Sequence, residues 1–171
     1  MRNTVDSNAR VRLTRPEEID EVMGIYTRAR EFMAAHGNPN QWGLTGWPPR
    51  ELIVRDIACN KSYVYECGRR IAAVFYYDFG KDVEPTYDEI EEGSWASDLP
   101  YGVVHRIASA GIMRGAGEAC LRWAFDQSGH LRIDTHADNH VMRSLLERTG
   151  FEKRGIIHVL EDDYPRIAYE R

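Results

Sequence analysis

The sequence predicts a single α/β domain with a mixed, largely antiparallel sheet, and three local patterns predict it. Residues 101–117, YGVVHRIASAGIMRGAG, run from a β-branched apolar stretch into a glycine-rich loop that opens a helix. Downstream the periodicity gives helix, strand, helix, strand, with Gly129 and Gly150 as helix stops. Upstream, two strand-like runs flank a turn at Gly68, which makes them antiparallel neighbours.

The elements follow in chain order. Val11 to Leu13 reads as a first strand; Thr14 is expected to cap a helix, with Glu17 closing a capping box and Pro16 in the first turn. Ile19, Val22, Met23, Tyr26 and Ala29 mark that helix's buried face. The stretch His36 to Pro49, HGNPNQWGLTGWPP, is too rich in Gly, Pro and Asn to continue it and reads as a loop. Pro49 to Ile57 restarts a short helix with Leu52, Ile53 and Ile57 inward, and the hairpin strands are Ser62 to Glu66 and Ile71 to Phe79. After the glycine loop, Cys120, Leu121, Ala124 and Phe125 share a helical stripe that also brings Trp123 into packing. Leu131 to Thr135 is a short strand, and Val141, Met142, Leu145 and Leu146 define a second helix ended by Gly150. Ile156 to Leu160 and Ile167 to Tyr169 read as a terminal hairpin, a surface through which two copies would pair as a homodimer.

With 171 residues, 43% of them hydrophobic, the chain is long enough for one well-buried core and short for two. One domain over 1–171 is expected, its core beginning near residue 11 and residues 1–9 flexible. The formal net charge of -5 argues against nucleic-acid partners, which need a basic face. No apolar run approaches the length needed to cross a bilayer, and MRNTVDSNAR lacks an apolar signal core, so no membrane partner is expected. Cys59, Cys67 and Cys120 are odd in number and scattered, which suggests neither a disulfide framework nor a metal cluster and fits a reducing, cytoplasmic compartment.

The glycine loop is the most specific chemical feature. Its glycines allow close backbone approach, the N–H groups of Met113 to Glu118 lack intrahelical partners, and the helix dipole favours negative charge. A phosphate or pyrophosphate is the expected guest.

The element order, with Arg114-Gly115-Ala116-Gly117 in the loop, Asn139 opening the next helix and Thr149-Gly150-Phe151 closing it, resembles the GNAT acetyltransferase superfamily. The resemblance implies a sheet splayed at its middle with helices on both faces, acetyl-CoA in the splay as cosubstrate, and no metal. It further implies transfer of the acetyl group to a primary amine of a small molecule or peptide, by direct attack in a ternary complex. In the family's phosphate-loop pattern Gly115 and Gly117 take the glycine positions, and Ile112 stands where Arg or Gln is usual, with Arg114 able to restore the charge. Ile107, Ala108 and Ser109 occupy the segment that pairs with the pantetheine arm; Asn139 is matched to a pantetheine contact, with capping its own helix as the alternative, and Arg143 to a CoA phosphate, with a plain exposed helical arginine as the alternative. The family often has a tyrosine general acid seven residues past the asparagine; that position is Leu146, which leaves the acid unassigned among Tyr101, Tyr164, Tyr169 or solvent.

Amine attack needs a base near the thioester, and His105, just upstream of the cofactor segment, is the candidate. Strand alternation puts His105 on one face with Ile107 and Ser109, unless a bulge reverses the parity. Trp42, Trp47 and Trp95 sit in two loops and are expected to line the acceptor cleft; the alternative is that they fold their loops against the body. The acidic run Asp82, Glu84, Asp88, Glu89, Glu91, Glu92 and Asp98 reads first as a solvated face and second as a means of steering a cationic amine.

Three other readings compete. Gly115, Gly117 and Cys120 partly imitate a G-x-G-x-x-G fingerprint, with Asp134 near the place of a ribose-binding acid, which would make a dinucleotide enzyme. His136 and His140 have the four-residue spacing of a zinc helix but no Glu beside the first His. A fold that binds CoA as a sensor without turnover is the third.

Overall fold

The computed structural model describes residues 8–171. In order they form β1 (Ala9–Leu13), a 3-10 turn (Pro16–Glu18), α1 (Ile19–Ala35), α2 (Arg50–Ala58), β2 (Ser62–Cys67) and β3 (Arg70–Gly80). A second 3-10 turn (Pro85–Tyr87), β4 (Tyr101–Ser109), α3 (Ala116–Ser128), β5 (Leu131–His136), α4 (His140–Arg148), β6 (Glu152–His158) and β7 (Pro165–Glu170) complete the chain. Most of the flexible segment expected over 1–9 lies outside the described residues, but Ala9 already pairs with Cys67 in β1.

The first helical start is one residue later than the capping pattern suggested. Thr14 still follows β1: its N–H donates to Ser62 O at 2.9 Å and its hydroxyl shares a hydrogen bond with that of Ser62 at 2.8 Å. The carboxylate that reaches back is therefore Glu18, accepting the Arg15 N–H at 2.8 Å, with Pro16 as first residue of the turn.

The strands form one sheet in the order β1-β2-β3-β4-β5-β7-β6. Among the named pairs β4 and β5 alone run parallel; β7 inserts antiparallel between β5 and β6, so the terminal hairpin is part of this sheet with β6 at its edge. One parallel pair in an otherwise antiparallel sheet rules out the doubly wound dinucleotide fold.

Helices cover both faces. Val22, Ile25 and Tyr26 of α1 and Ile53 and Ile57 of α2 bury against Val64, Val74 and Ala108; Cys120, Leu121 and Ala124 of α3 and Leu146 of α4 bury with Phe75, Val104, Ile133 and Ile167. Trp123 packs beside this second layer, its ring 4.8 Å from that of Tyr63. A smaller cluster of Tyr87, Tyr101, Val103, Ile157 and Ala168 seats the loop between β3 and β4.

Two backbone features open the middle of the sheet. β4 and β5 pair only at Gly102↔Leu131 and Val103↔Arg132, after which the strands part. On its other side β4 carries a bulge: Tyr76 faces His105 and Val74 faces Ala108, so Arg106 and Ile107 share one position opposite Phe75, with Arg106 at φ 52°. A non-glycine residue in this region costs about 1–3 kcal/mol. Here it is held on both sides, because Tyr26 O–H donates to Arg106 O at 2.9 Å and the Arg106 guanidinium pairs with Asp56 at 2.8 Å.

Candidate active site

The glycine loop forms the first part of the site. Gly111 and Gly115 have φ of +73° and +82°, a conformation that favours glycine, and Gly115 is the N-cap of α3 with no side chain closing the helix end. The first α3 bond runs from Ala119 N–H to Gly115 O, so the preceding amides emerge from the helix end. Gly111, Ile112, Arg114 and Gly115 are exposed, while Met113 packs toward the core and anchors the loop. The Glu118 carboxylate is occupied along the helix by Arg122 at 2.9 Å. A Cβ on Gly117 would meet Leu145 of α4 at 3.3 Å, so α3 and α4 already approach closely there.

The splay forms the second part. A cleft of about 290 Å³ lies between the parted strands, lined by Val104, His105, Arg106 and Ile107 of β4 and by Ile133, Asp134 and Thr135 of β5. Trp42 and Trp47 wall it from the α1–α2 loop, Glu84 and Thr86 from the β3–β4 loop, and Val159 to Glu161 from the β6–β7 loop. Past Val103 the β5-facing edge of β4 has no strand partner among the described residues. That edge suits a peptide-like chain lying as an added strand. Of the predicted segment only Ile107 lines the cleft: Ala108 turns into the α1–α2 layer, and Ser109 Oγ accepts the Gly111 N–H at 3.1 Å.

His105 stands where the strands part. Residues two apart share a strand face, so His105 follows Val103 and Asp134 follows Arg132 on the same side, one step beyond the last paired position. His105 Nδ1 lies 3.7 Å from Asp134 Oδ2, which accepts the Tyr87 O–H at 2.7 Å. On the imidazole's other side, Nε2 is 2.6 Å from Glu84 Oε2, while Glu84 Oε1 accepts the Thr86 N–H and hydroxyl at 3.1 and 2.7 Å. Burial pushes the Glu84 carboxyl up, but the His105 hydrogen bond and charge and the Thr86 bonds outweigh it and hold it down to about 2. An ionised carboxylate only accepts, so Nε2 carries a proton and Nδ1 is the nitrogen turned to Asp134. Burial, and then the Asp134 carboxylate, push the Tyr87 phenol well above its usual value, so it remains a donor.

Several expectations are corrected. Trp95 does not line the cleft: its Nε1–H donates to Tyr87 O at 2.9 Å and Arg132 lies 4.2 Å over its ring, so it supports the turn that carries Glu84 and Tyr87. Asn139 does line the cleft and also takes the capping role named as its alternative, Oδ1 accepting the Met142 N–H at 3.1 Å and Nδ2 donating to Gln41 Oε1 at 2.9 Å. Arg143 donates to Ala137 O at 2.9 Å beside that cap. Leu146 is fully buried in the core, and Tyr101, Tyr164 and Tyr169 all lie off the cleft. His136 ends β5 with Nδ1 accepting the Asp138 N–H, and no group of three or more metal-ligating side chains forms among the described residues. Of the seven acids in the β3–β4 loop, six are exposed and only Glu84 turns inward. Its signal is local: Glu84 precedes Pro85 and Thr86 and accepts from Thr86, an N-terminal cap of the 3-10 turn.

No protein-family model and no curated protein sequence matches the chain. A solved GNAT-family acetyltransferase from Streptococcus agalactiae 2603 is 30% identical, with 99% of this chain and 98% of that one covered and a TM-score of 0.85. The chain belongs to the GNAT acetyltransferase family. More distant members share the fold: a ribosomal-protein-alanine N-acetyltransferase from Brucella melitensis is 12% identical over 95% of this chain and 98% of that one. An agmatine N-acetyltransferase is 13% identical over 96% and 99%, and both give a TM-score of 0.62. As a GNAT protein the chain is an acyltransferase whose sheet, splay and helix layers are those of its family.

Proposed function

We propose that this GNAT enzyme transfers the acetyl group of acetyl-CoA to a primary amine of a small molecule or peptide, with His105 as general base. The placement of His105 at the mouth of the splay, Nε2 tied to the ionised Glu84, carries the proposal. The residues fit the cofactor. The uncapped α3 terminus with its glycine conformers suits a pyrophosphate, and the unpaired edge of β4 suits the pantetheine arm. Ile107, Ala108 and Ser109 would hold that arm by main-chain groups, and the amides from Met113 to Glu118 would hold the phosphates, with Arg114 adding charge. Acetyl-CoA supplies an activated acyl group on a thiolate leaving group.

The chain's own residues do the rest. His105 Nδ1 takes a proton from the acceptor nitrogen, whose lone pair then bonds to the acyl carbon as the carbon–sulfur bond breaks. The sulfur leaves with the bonding pair and takes up one proton, so an ammonium substrate gives an amide, a free thiol and one released proton. Main-chain N–H groups at the Arg106–Ile107 bulge are released from regular pairing and can meet the oxygen as charge develops on it. Glu84 is a positioning residue: it fixes the imidazole's tautomer and balances its charge. Solvent protonates the thiolate, since Leu146 fills the position where the family often has a tyrosine.

Calorimetric titration with acetyl-CoA, followed by thiol release over a panel of amines, tests the proposal. Binding with thiol release is the expected result. Binding without release on any amine overturns it in favour of a CoA sensor, which the buried Leu146 favours; absence of binding rejects the cofactor assignment.

A further inference from the structure

We propose that His105 Nδ1 and Asp134 Oδ2 form a fork for the ammonium group of the acceptor, so that the enzyme selects amines that arrive protonated; this rests on the acyl-transfer reading above. Charge balance around the cleft leads there first. Two arginines line it and each already has a carboxylate: Arg106 pairs with Asp56 at 2.8 Å and Arg166 with Asp162 at 2.6 Å. Glu84 and Asp134 instead flank one imidazole. Glu161 adds a third carboxylate to the cleft wall, with no cation paired to it among the described residues; around the imidazole itself, even with His105 protonated, two carboxylates and one imidazolium leave one negative charge, and one cation there neutralises it.

The geometry agrees. Two acceptors 3.7 Å apart are both reached by one ammonium nitrogen at about 2.8 Å from each. Asp134 is held for this: its side chain is 10% exposed and Tyr87 fixes Oδ2 from behind. The next residue, Thr135, is 1% exposed and lines the same cleft, and its hydroxyl has no protein partner; strand alternation turns it to the other face of β5, so the fork stands on His105 and Asp134 alone. In the bound state Asp134 holds the ammonium by a charge-assisted hydrogen bond while His105 Nδ1 accepts the proton that must leave before attack. A neutral arylamine gives Asp134 only an uncharged N–H donor and gains less from it than an ammonium does.

The test uses primary alkylamines, benzylamine and aniline on the full chain, comparing wild type with Asp134→Asn and Asp134→Glu. Benzylamine and aniline both present an aromatic ring to the tryptophan wall and differ in charge at neutral pH. Asp134→Asn is expected to raise the benzylamine KM, and its calorimetric Kd with CoA present, by about 10- to 100-fold, with a several-fold smaller effect on aniline and acetyl-CoA affinity unchanged. Asp134→Glu recovers part of that loss, which a folding defect does not. Equal effects on both amines, no effect on either, or a wild type that favours aniline overturns the fork. If wild type binds benzylamine with this Asp134 dependence but releases no thiol, the fork stands and the acyl-transfer reading falls; thiol release indifferent to Asp134 charge gives the converse.

Discussion

One part of the candidate site, residues 111–118, is contiguous and lies at the N-terminus of α3; the other, Glu84, His105 and Asp134, comes from three segments and offers side chains. The first is a local property of the backbone, so its conformational demands are written as glycines at 111 and 115, while Gly117 answers only the close approach of Leu145. The second exists only because β4 parts from β5 after Val103 and because one turn of an acidic loop folds inward. The two parts should therefore fail differently, one losing cofactor affinity and the other losing turnover.

The largest separation is expected from Gly117→Glu. The new side chain would start 3.3 Å from Leu145 and place negative charge at the α3 terminus, so acetyl-CoA affinity should fall by more than about 100-fold in calorimetry. Retained affinity would show that the loop is not the phosphate site. His105→Ala should do the opposite, lowering kcat by about 10²- to 10⁴-fold while acetyl-CoA affinity stays unchanged. A variant with normal turnover removes His105 from the mechanism.

Glu84→Gln sharpens the contrast within the acceptor part. Glu84 uses one oxygen on His105 and the other on Thr86, whereas glutamine has a single acceptor oxygen and can satisfy only one set. A kcat loss of about 10- to 100-fold is expected, smaller than for loss of the base, and acetyl-CoA affinity should not move. The same carboxylate predicts a pH effect. Its folded value of about 2 lies below the ordinary 4.5, so its contribution to stability is complete above about pH 4.5 and is lost as pH falls toward about 2. Denaturant unfolding of wild type and Glu84→Gln should converge across that window; a difference independent of pH would show that Glu84 does not titrate as a partner of His105.

The smallest effect is expected from Tyr26→Phe, which removes the donor to Arg106 O but keeps the ring in the α1 layer. A stability loss of about 1–2 kcal/mol and a several-fold fall in kcat should appear together, because the hydrogen bond holds the bulge that shapes the site. A stability loss with unchanged kcat would separate the bulge from catalysis.

Much of the fold was legible because its signals are short-range. The hairpin at Gly68, the stops at Gly129 and Gly150 and the apolar stripes of α1 and α3 each appear within about a dozen residues. The insertion of β7 between β5 and β6 is not local, and no pattern within 152–170 announces it. His105 could be singled out because it precedes the glycine loop on the same strand. Glu84 was hidden by composition, since a run of acids looks alike whether its members face water or a histidine. Asp134 was visible only as a ribose-binding acid, because its approach to His105 depends on the β4–β5 register. Trp95 shows the reverse error: a large aromatic in a loop needs burial, but here the loop's own turn provides it.

The bulge at Arg106 links two positions fifty residues apart in their evolutionary histories. A change to glycine at 106 would relieve the left-handed backbone but strand Asp56, whose carboxyl burial already pushes up against the pull of Arg106. Neutralising Asp56 alone would leave the guanidinium without its partner beside Tyr76. Each single step is therefore harmful while the pair of changes is tolerable, so lineages of this protein should show 56 and 106 exchanging together, as compensated substitutions.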